Sequence, residues 1–527
     1  MASDPLISNL RAALGEGRVA TDDASIALAA TDVYRQGELP TAVIKPGSVE
    51  QLCAGIRAAT ESGYAVIARG GGASYTDAYL AISERSVVVD MGDLNKIVDI
   101  DEVNNIVTVE AGCTWATLRD ELLKRNLRTP FFGPFSGLVA TVGGSVSQNA
   151  ISHGSGTYGI SAQSVISLDV VLANGSLLST GSGAIQSGDS KIRRFFRYSG
   201  PDLTGLFTGD CGAFGIKASV TLPLLKNPAA TETVAFSFPD FESMHTAIAG
   251  IALLGLDDEG FGLDPALQQG QIARNESRAV KLKLAWSVLR SSPTLFKGIR
   301  SLLRMALAGD KHLREPGFAL NYIVKGPDAG SAKSKIAAIR EIALRTGGEV
   351  PNSMPAIVAV MPFAPLNNVL GPGGERWVPV HGILQHSDVV AFHERWSAVL
   401  DSYAEQIEAT GTFVGGMYMA VGPSAFLYEI AFYWPDERTV YHEQTVDPDY
   451  LSTLPAHPSN EDGRELVENL KKAATELFGD FGGVHFQIGK TYPHVENRDT
   501  LELNLLRAIK AEVDPDNRMN PGVLGLP

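Results

Sequence analysis

Cysteine is scarce in this sequence. Only Cys53, Cys113 and Cys211 occur in 527 residues, the count is odd, and no two of them have CxxC spacing. This pattern argues against a disulfide framework or a zinc site and is typical of a reducing compartment. We therefore predict a cytoplasmic protein without a metal site.

The sequence also lacks long hydrophobic runs and an excess of basic charge. No apolar run reaches the ~18 residues that cross a bilayer, and the first residues do not resemble a secretory signal. The net charge is −15 and the pI is about 5.2, which does not suit binding to a phosphate backbone. We predict no membrane span and no nucleic-acid partner.

Length and apolar content are both ample. Hydrophobic residues make up 44% of the chain and charged residues 20%, which is ordinary for a globular protein. A chain of 527 residues exceeds what one hydrophobic core usually serves. We expect two large domains.

A glycine triplet stands out in the N-terminal part of the chain. Residues 69–74 read Arg-Gly-Gly-Gly-Ala-Ser and separate two β-type runs, 65–68 and 87–91. Residues without Cβ let the backbone approach a ligand and point several N–H groups into one concavity, which suits phosphate oxygens. A tight turn would need the same glycines, so this loop alone leaves both interpretations open.

Two further glycine-rich stretches follow. Residues 141–159 contain five glycines and four serines, and residues 209–216 contain three more glycines. We predict loops that wrap a polar ligand, because such stretches supply backbone N–H groups and small hydroxyls but cannot build a core. The first loop does not have GxGxxG spacing, and no long helix is predicted directly after it. Loops, and not a helix dipole, would therefore hold a phosphate.

The order of these motifs resembles the FAD-binding domain of the superfamily that includes vanillyl-alcohol oxidase and p-cresol methylhydroxylase (PCMH). The matching segments are RGGGAS, VDMGDLNKI, VEAG, TVGGSVSQNAISHGSGTYG, VVLANGSLLSTGSGA and DLTGLFTGDCGAFGI, with VDPDNRMNPG similar to the family's closing motif. The resemblance implies an α+β fold. A PCMH-type FAD-binding domain of two α+β subdomains would span 1–233, a cap with an antiparallel sheet and flanking helices 234–484, and a segment returning to the FAD domain 485–527.

The resemblance also implies which residues bind FAD. Residues 69–74 would hold the pyrophosphate through backbone N–H groups, a second group would line the flavin and ribityl chain, and Gly215 with Ile216 would lie by the adenine. The full predicted set is Arg69, Gly70, Gly71, Gly72, Ala73, Ser74, Pro134, Thr141, Gly143, Gly144, Ser147, Asn149, Gly154, Gly156, Thr157, Gly215, Ile216 and Asn520. Family members with a covalent flavin often have histidine in the place of Ala73. We therefore predict non-covalent FAD, while a link from a cap residue stays open.

Two substrate classes of the family are each incompletely matched. Members that act on 4-alkylphenols bind the phenolate with a tyrosine near Ala73 and a Tyr-Arg pair late in the cap, and residues 484–494 lack that pair. Members that act on D-2-hydroxy acids carry two metal-binding histidines seven residues apart, and the similar region 422–429 has no histidine. The sequence supports neither class cleanly.

The cap must supply a proton acceptor, because a flavin takes hydride but cannot take a hydroxyl proton. His381 and His485 are the candidates, and His485 is favoured because Lys490 follows it in a glycine-bounded segment. Arg376 or Lys490 could bind an anionic group, and Tyr418 could form part of an aromatic wall. Structural histidines and surface cations are the simpler alternatives.

The sequence thus predicts an FAD-dependent oxidoreductase that removes hydride and a proton from a hydroxyl-bearing or benzylic carbon. The substrate would be a small molecule, with aromatic and phenolic compounds among the options. Oxygen or an electron carrier would accept the electrons, and we expect a homo-oligomer. Three alternatives stay open: a D-2-hydroxyacid dehydrogenase, a non-redox transferase similar to alkylglycerone-phosphate synthase, and a flavin binder without catalysis.

Overall fold

The structure is a computed structural model that describes residues 5–185, 193–256, 258–268, 317–496 and 498–527. Three sheets of four or more strands organise these residues, and helices flank them. The α+β prediction is confirmed.

The first sheet carries the glycine triplet at the end of one strand. Its order is β1-β2-β4-β3, with β2, β3 and β4 parallel and β1 antiparallel to β2. The strands are β1 Val19–Ala20, β2 Ala42–Ile44, β3 Ala65–Arg69 and β4 Ser86–Asp90. Helix Val49–Glu61 crosses from β2 to β3, capped by Ser48, whose hydroxyl accepts the N–H of Gln51 at 3.2 Å.

The second sheet is antiparallel and has the order β5-β6-β10-β8-β9. Its strands are β5 Ile97–Asp101, β6 Ile106–Glu110, β8 Ser167–Val171, β9 Leu177–Ser179 and β10 Ile216–Pro223. A separate short pair joins β7 Leu127–Arg128 to β11 Leu225–Lys226. Residues 102–105 join β5 to β6, which pair as an antiparallel hairpin.

The third sheet, which we call the cap sheet, has seven antiparallel strands in the order β15-β12-β14-β13-β17-β18-β16. They are β12 Ala230–Phe238, β13 Glu259–Leu263, β14 Phe318–Gly326, β15 Gly348–Val350, β16 Arg376–Leu384, β17 Phe413–Val421 and β18 Ala425–Trp434. Strand β16 lies at one edge, and this position matters for the site.

Helices cover the sheets. Those of the described residues are Leu6–Leu14, Asp23–Ala29, Val49–Glu61, Trp115–Leu123, Val142–Gln148, Ser155–Tyr158, Phe241–Ala252, Ala329–Ala343, Ser353–Val360, Val389–Ser402, Ala404–Thr410, Val440–Thr445, Pro448–Leu451, Glu461–Asp480 and Thr500–Val513. Helices 241–252, 389–402 and 461–480 pack on one face of the cap sheet.

The two faces of the cap sheet have different partners, because successive side chains of a strand point to opposite sides. Val380, Tyr428 and Phe432 belong to the large core on the helix side. Met419 and Leu427 belong to a second apolar cluster, which also contains Ile151 from the glycine-rich stretch. The second face is therefore turned toward the predicted cofactor loops.

Candidate functional site

The glycine triplet turns back against a neighbouring protein segment. Gly72 has φ +68°, a conformation that glycine adopts without strain. A Cβ on Gly71 would overlap the backbone carbonyl of Val139, and a Cβ on Gly70 would lie 2.6 Å from Oγ1 of Thr141. Close approach of two protein segments therefore requires these glycines, whatever ligand the loop also binds.

Arg69 closes one side of this loop. Its guanidinium carbon lies 5.3 Å from the ring centre of Tyr79, whose hydroxyl donates to the carbonyl of Gly72 at 3.0 Å. Nε of Arg69 is buried and has no hydrogen-bond partner within the described protein. Because an unpaired buried donor is costly, this edge of the loop suits an acceptor such as a phosphate oxygen.

The stretch predicted to be a wrapping loop begins instead with a short helix, Val142–Gln148. Thr141 caps it by accepting the N–H of Gly144 at 3.1 Å. Two glycines lower the helix propensity of these seven residues, so their composition masks the helix. Thr141 was the sequence signal that could have revealed it.

Asn149 follows this helix in the left-handed conformation, with φ +52°. Its Oδ1 is buried and has no hydrogen-bond partner within the described protein. The buried hydroxyl of Ser152 also has no hydrogen-bond partner within the described protein. These two polar atoms and Nε of Arg69 are groups that a bound ligand would satisfy.

The predicted cofactor residues divide by exposure. Those that keep accessible surface are Arg69, Gly70, Gly71, Ala73, Ser74, Pro134, Gly144, Ser147, Asn149 and Thr157. Those that are buried are Gly72, Thr141, Gly143, Gly154, Gly156, Gly215, Ile216 and Asn520. The first group offers backbone and small polar side chains along a glycine-lined surface, and together with the unpaired atoms it fits FAD.

Asn520 and Lys490 are committed to protein contacts. The Asn520 amide donates to the carbonyls of Ala78 and Cys211, both at 2.7 Å. The Lys490 ammonium donates to Oδ1 of Asn520 at 2.8 Å and to the carbonyls of Leu80 and Asp77 at 2.9 and 3.3 Å. Lys490 thus has no donor left for a substrate anion, and the side chain of Asn520 has none for FAD.

A buried charged cluster joins the cofactor loops to the cap sheet. It was not predicted from the sequence. The His153 ring nitrogens lie 2.5 Å from Oε2 of Glu259 and 2.7 Å from the carbonyl of Pro362. Lys325 donates to the other oxygen of Glu259 at 2.7 Å. Burial would raise the pKa of Glu259, but His153 and Lys325 outweigh it and lower the pKa to about 2.

Two polar side chains face the cofactor loops from an otherwise apolar area of the cap sheet. His381 on β16 and Glu429 on β18 are register partners, so they lie side by side. Around them on the same face are Trp377, Leu427 and Tyr433. Glu429 was not predicted, and nothing in its sequence context distinguishes it from a solvent-facing strand residue.

Residues from the glycine loop and the C-terminal segment surround His381. The Tyr75 hydroxyl lies 3.3 Å from Nε2 of His381, and the Phe486 ring stacks on the imidazole at 4.1 Å. Nδ1 of His485 bonds the carbonyl of His381 at 2.8 Å, and the His381 N–H donates to the Tyr492 hydroxyl at 3.1 Å. The structure therefore brings the two predicted histidines together and adds Tyr75. The sequence signal that could have identified Tyr75 was its position two residues after Ala73, because the resemblance implies a substrate-binding tyrosine near Ala73.

Burial dominates the ionisation of this cluster. It raises the pKa of Glu429 to about 7 and raises that of Tyr75 well above its ordinary value, with the charge of Glu429 adding to the second effect. It lowers the pKa of His485 to about 4 and, with the charge of His485, that of His381 to about 3. Both imidazoles are therefore neutral near pH 7, where Glu429 titrates.

Arg376 and Tyr418 lie away from this cluster. Arg376 is buried, pairs with Asp436 at 3.0 Å and also donates to the carbonyl of Tyr34. Tyr418 is buried on the helix side of the cap sheet, where its ring meets Phe241 edge-on at 5.0 Å. Arg376 thus joins the N-terminal segment to the cap, and Tyr418 is a core residue.

Neither a metal cluster nor a spanning helix occurs in the described part of the chain. No three His, Cys, Asp or Glu side chains there are grouped to hold a metal ion. No helix there has the length and apolarity needed to cross a membrane.

The glycine-lined surface and its unpaired polar atoms are features of a cofactor-binding protein. Residues 40–181 match the family described as FAD binding domain. The mitochondrial D-lactate dehydrogenase [cytochrome] of Arabidopsis thaliana is 29% identical over 206 residues, 39% of this chain and 34% of that protein. The chain spans about a third to a half of the length of the curated relatives it matches.

Two solved structures cover almost the whole chain. p-Cresol methylhydroxylase with substrate bound has a TM-score of 0.72 and 17% identity, covering 99% of this chain and 96% of that one. Alkyldihydroxyacetonephosphate synthase has a TM-score of 0.68 and 16% identity, covering 99% and 85%. At these identities the likeness shows the fold. Together with the FAD-binding match over residues 40–181, this fold supports the resemblance to PCMH-type flavoproteins, and the cofactor is FAD.

Proposed function

We propose that the protein is an FAD-dependent oxidoreductase that takes hydride from a hydroxyl-bearing or benzylic carbon of a small uncharged aromatic substrate and a proton from the substrate's hydroxyl group. The observation that carries this proposal is the group Tyr75, His381 and Glu429 on an apolar, aromatic area facing the cofactor loops. Such a surface suits a planar molecule that has one hydroxyl to recognise. The activity and the predicted boundaries 1–233, 234–484 and 485–527 belong to this proposal.

The bound flavin supplies the hydride acceptor, so the chain must supply the proton acceptor. Glu429 suits this task because burial raises its pKa to about 7, near the pH at which the enzyme would work. The neutral imidazole of His381 and the Tyr75 hydroxyl can hydrogen-bond the substrate hydroxyl beside it. Trp377 and Phe486 give apolar walls to the same surface.

The absence of an uncommitted cation among the described residues of this surface favours an uncharged substrate. A D-2-hydroxy acid carries a carboxylate, which would need a positive partner when removed from water. Arg376 and Lys490 are engaged by protein acceptors, as described above. The D-2-hydroxyacid alternative remains the second candidate because D-lactate dehydrogenase is among the relatives by sequence.

Anaerobic mixing of the purified holoprotein with substrates tests the proposal. We expect 4-hydroxybenzyl alcohols or 4-alkylphenols to bleach the oxidised flavin band, and D-lactate and D-2-hydroxyglutarate to leave it unchanged. Bleaching by the hydroxy acids alone would make the second candidate correct. No bleaching by either class, with FAD present, would leave a non-redox transferase or a flavin binder.

The way the flavin is attached, its electron acceptor and the state of assembly belong to the same proposal. Ala73 cannot form a bond to the flavin, and we propose that FAD is not covalently bound. Oxygen or an electron carrier would reoxidise the flavin. The homo-oligomeric state and the cytoplasmic location stay predictions from the sequence.

A further inference from the structure

The C-terminal segment closes the edge of the cap sheet beside the candidate site. Strand β16 is an edge strand, so the outward-facing N–H and C=O groups of its alternate residues have no neighbouring strand among those described. At Ile383 the backbone of Val484 fills this place, with hydrogen bonds of 2.8 and 3.0 Å. At His381, two residues earlier on β16, side chains fill it instead. Nδ1 of His485 bonds the carbonyl at 2.8 Å, and the Tyr492 hydroxyl accepts the N–H at 3.1 Å.

The C-terminal segment leaves the sheet edge directly after Val484, and this is why side chains are needed at His381. Phe486 turns to stack on the His381 imidazole at 4.1 Å. The N–H of Gln487 donates to the carbonyl of Gln148 at 2.9 Å, at the end of the helix beside the cofactor loops. Backbone pairing with β16 therefore ends one step before the residue that belongs to the site.

The outward bonds of His381 also define how it lies against Glu429. In an antiparallel pair of strands, opposite residues alternate between pairs that exchange backbone hydrogen bonds and pairs that do not. Because both backbone groups of His381 bond outward, His381 and Glu429 are a pair of the second kind. Such pairs have a Cα separation of about 4.5 Å instead of about 5.5 Å, so their side chains lie closer. The outward bonds thus belong to the arrangement that brings the imidazole beside the carboxyl.

Tyr492 supports both outward bonds. Its hydroxyl accepts the His381 N–H, and its ring stacks on the His485 imidazole at 4.1 Å with an angle of 1° between the two planes. Tyr492 and His381 are both buried, so water would not readily replace a lost hydroxyl. Removing it would leave a buried N–H of the site without an acceptor, which is costly.

We propose that Tyr492 is a positioning residue, whose hydroxyl and the His485 ring stacked on it take the place of a neighbouring strand and hold His381 beside Glu429. This inference rests on the proposed function, because proton transfer at Glu429 is the step that depends on this spacing. Tyr492 touches no reacting atom in this account. It acts through the backbone of His381.

The variant Tyr492→Phe keeps the stacked ring and removes only the hydrogen-bond acceptor. We expect unchanged FAD content and a ~10-fold lower kcat for the aromatic substrate, with a smaller change in KM, since misplacing a reacting group by about 1 Å can cost ~10². Tyr34→Phe is the matched control. Tyr34 is also buried, and its hydroxyl donates to Oε2 of Glu468 at 2.6 Å, in helix 461–480. This control should lose stability but retain kcat.

Two kinetic comparisons distinguish positioning from a general structural role. In a His381→Gln background, Tyr492→Phe should lower kcat by less than about twofold more, because a residue that acts only through His381 is not additive with it. His485→Asn should retain a higher kcat than His485→Gln. The Asn amide lies near the place of Nδ1 and can still donate to the His381 carbonyl, whereas the Gln amide extends toward the place of Nε2.

Backbone hydrogen exchange gives a readout that does not need turnover. NMR spectroscopy of protein labelled with ¹⁵N-histidine follows the backbone amide of His381. In Tyr492→Phe this amide should exchange ~10-fold faster than in the wild type, because the bond that protects it is lost. In Tyr34→Phe its exchange should be unchanged.

The outcomes separate the inference from the proposed function. If no alcohol or phenol reduces the wild-type flavin, the proposed function fails, and amide exchange alone decides whether Tyr492 holds His381. Unchanged exchange of the His381 amide in Tyr492→Phe would overturn the inference. So would a fall in kcat that is equally large in the wild-type and His381→Gln backgrounds. Equal kcat values in His485→Asn and His485→Gln would overturn it as well, and this pair decides if Tyr492→Phe loses its FAD.

Discussion

At the scale of single residues, Glu429 gains its chemistry from neighbours that are distant in sequence. It lies opposite His381 on one side and Met417 on the other, within an apolar area. Burial raises its pKa to about 7, whereas the same side chain on a solvated strand would be ionised well below that pH. Position in the sheet, and not residue type, thus brings the pKa of this carboxyl near neutral pH.

Replacing Glu429 with Gln keeps the shape of the side chain and removes the proton site. A carboxyl acts as a base only above its pKa, so the wild-type rate of flavin reduction should rise with pH through about 7. In Glu429→Gln the rate should fall by ~10² or more, and this rise should disappear. Stopped-flow reduction on both sides of pH 7 measures both effects. The exposed Glu437→Gln serves as control, and an equal pH profile in all three proteins would contradict the assignment.

His381 and His485 have different surroundings. This reverses the order in which we expect the two residues to affect the rate of flavin reduction. His485 is the base favoured by the sequence, but its ring bonds the backbone carbonyl of His381 and stacks on Tyr492 at 4.1 Å. His381 faces Tyr75 within the site. We therefore expect His381→Gln to slow flavin reduction more than His485→Gln, with FAD content unchanged in both. A larger loss in His485→Gln would support the original order.

At the scale of elements, the short helix Val142–Gln148 depends on its first residue. The Thr141 hydroxyl satisfies the N–H of Gly144, and the helix contains two glycines that weaken it. Thr141→Val keeps the branched shape without the hydroxyl and should cost about 1 kcal/mol of stability. We expect a lower melting temperature and a lower ratio of flavin to protein absorbance. Thr141→Ser should retain both values. Full flavin occupancy in Thr141→Val would show that the Thr141 hydroxyl at the start of the helix does not support the cofactor loops.

Local sequence signals are enough to indicate several elements. The Ser48 and Thr114 caps and the turn at residues 101–105 mark elements that need no distant partner. The pairing of β16 with β18 could not be read from the sequence, because residues 385–424 separate the two strands along the chain. The loops of the candidate site were predicted because their signal is local in the sequence. The juxtaposition of His381 with Glu429 was not predicted, because it depends on the pairing of β16 with β18.

At the scale of the whole molecule, the attachment of FAD can be tested directly. The glycine loop offers Ala73 where a linking histidine would be needed. We expect acid precipitation of the purified yellow protein to release all of its flavin into the supernatant. Absorbance of the pellet and supernatant measures this, and flavin retained in the pellet would indicate a covalent link from another residue.

The buried cluster of His153, Glu259 and Lys325 lies between the cofactor loops and the cap sheet. Because of it, we expect the free energy of unfolding to decrease at acid pH. The pKa of Glu259 is lowered to about 2 from its ordinary 4.5, so its contribution is complete above about pH 4.5 and is lost as pH falls toward 2. By linkage, this amounts to roughly 3 kcal/mol. We expect the wild-type unfolding free energy to fall more steeply across this range than that of Glu259→Gln, as measured by urea denaturation. Parallel curves for the two proteins would remove Glu259 as the cause.

Strand β16 has a consequence for the order in which the protein becomes active during synthesis. The backbone carbonyl of His381 is hydrogen-bonded to His485, and its N–H donates to Tyr492. A ribosome adds both of these residues about a hundred residues after His381. The site proposed here is therefore incomplete in a nascent chain that ends before the returning segment. If the proposed function holds, substrate oxidation has to wait until that segment has been made and has folded against β16.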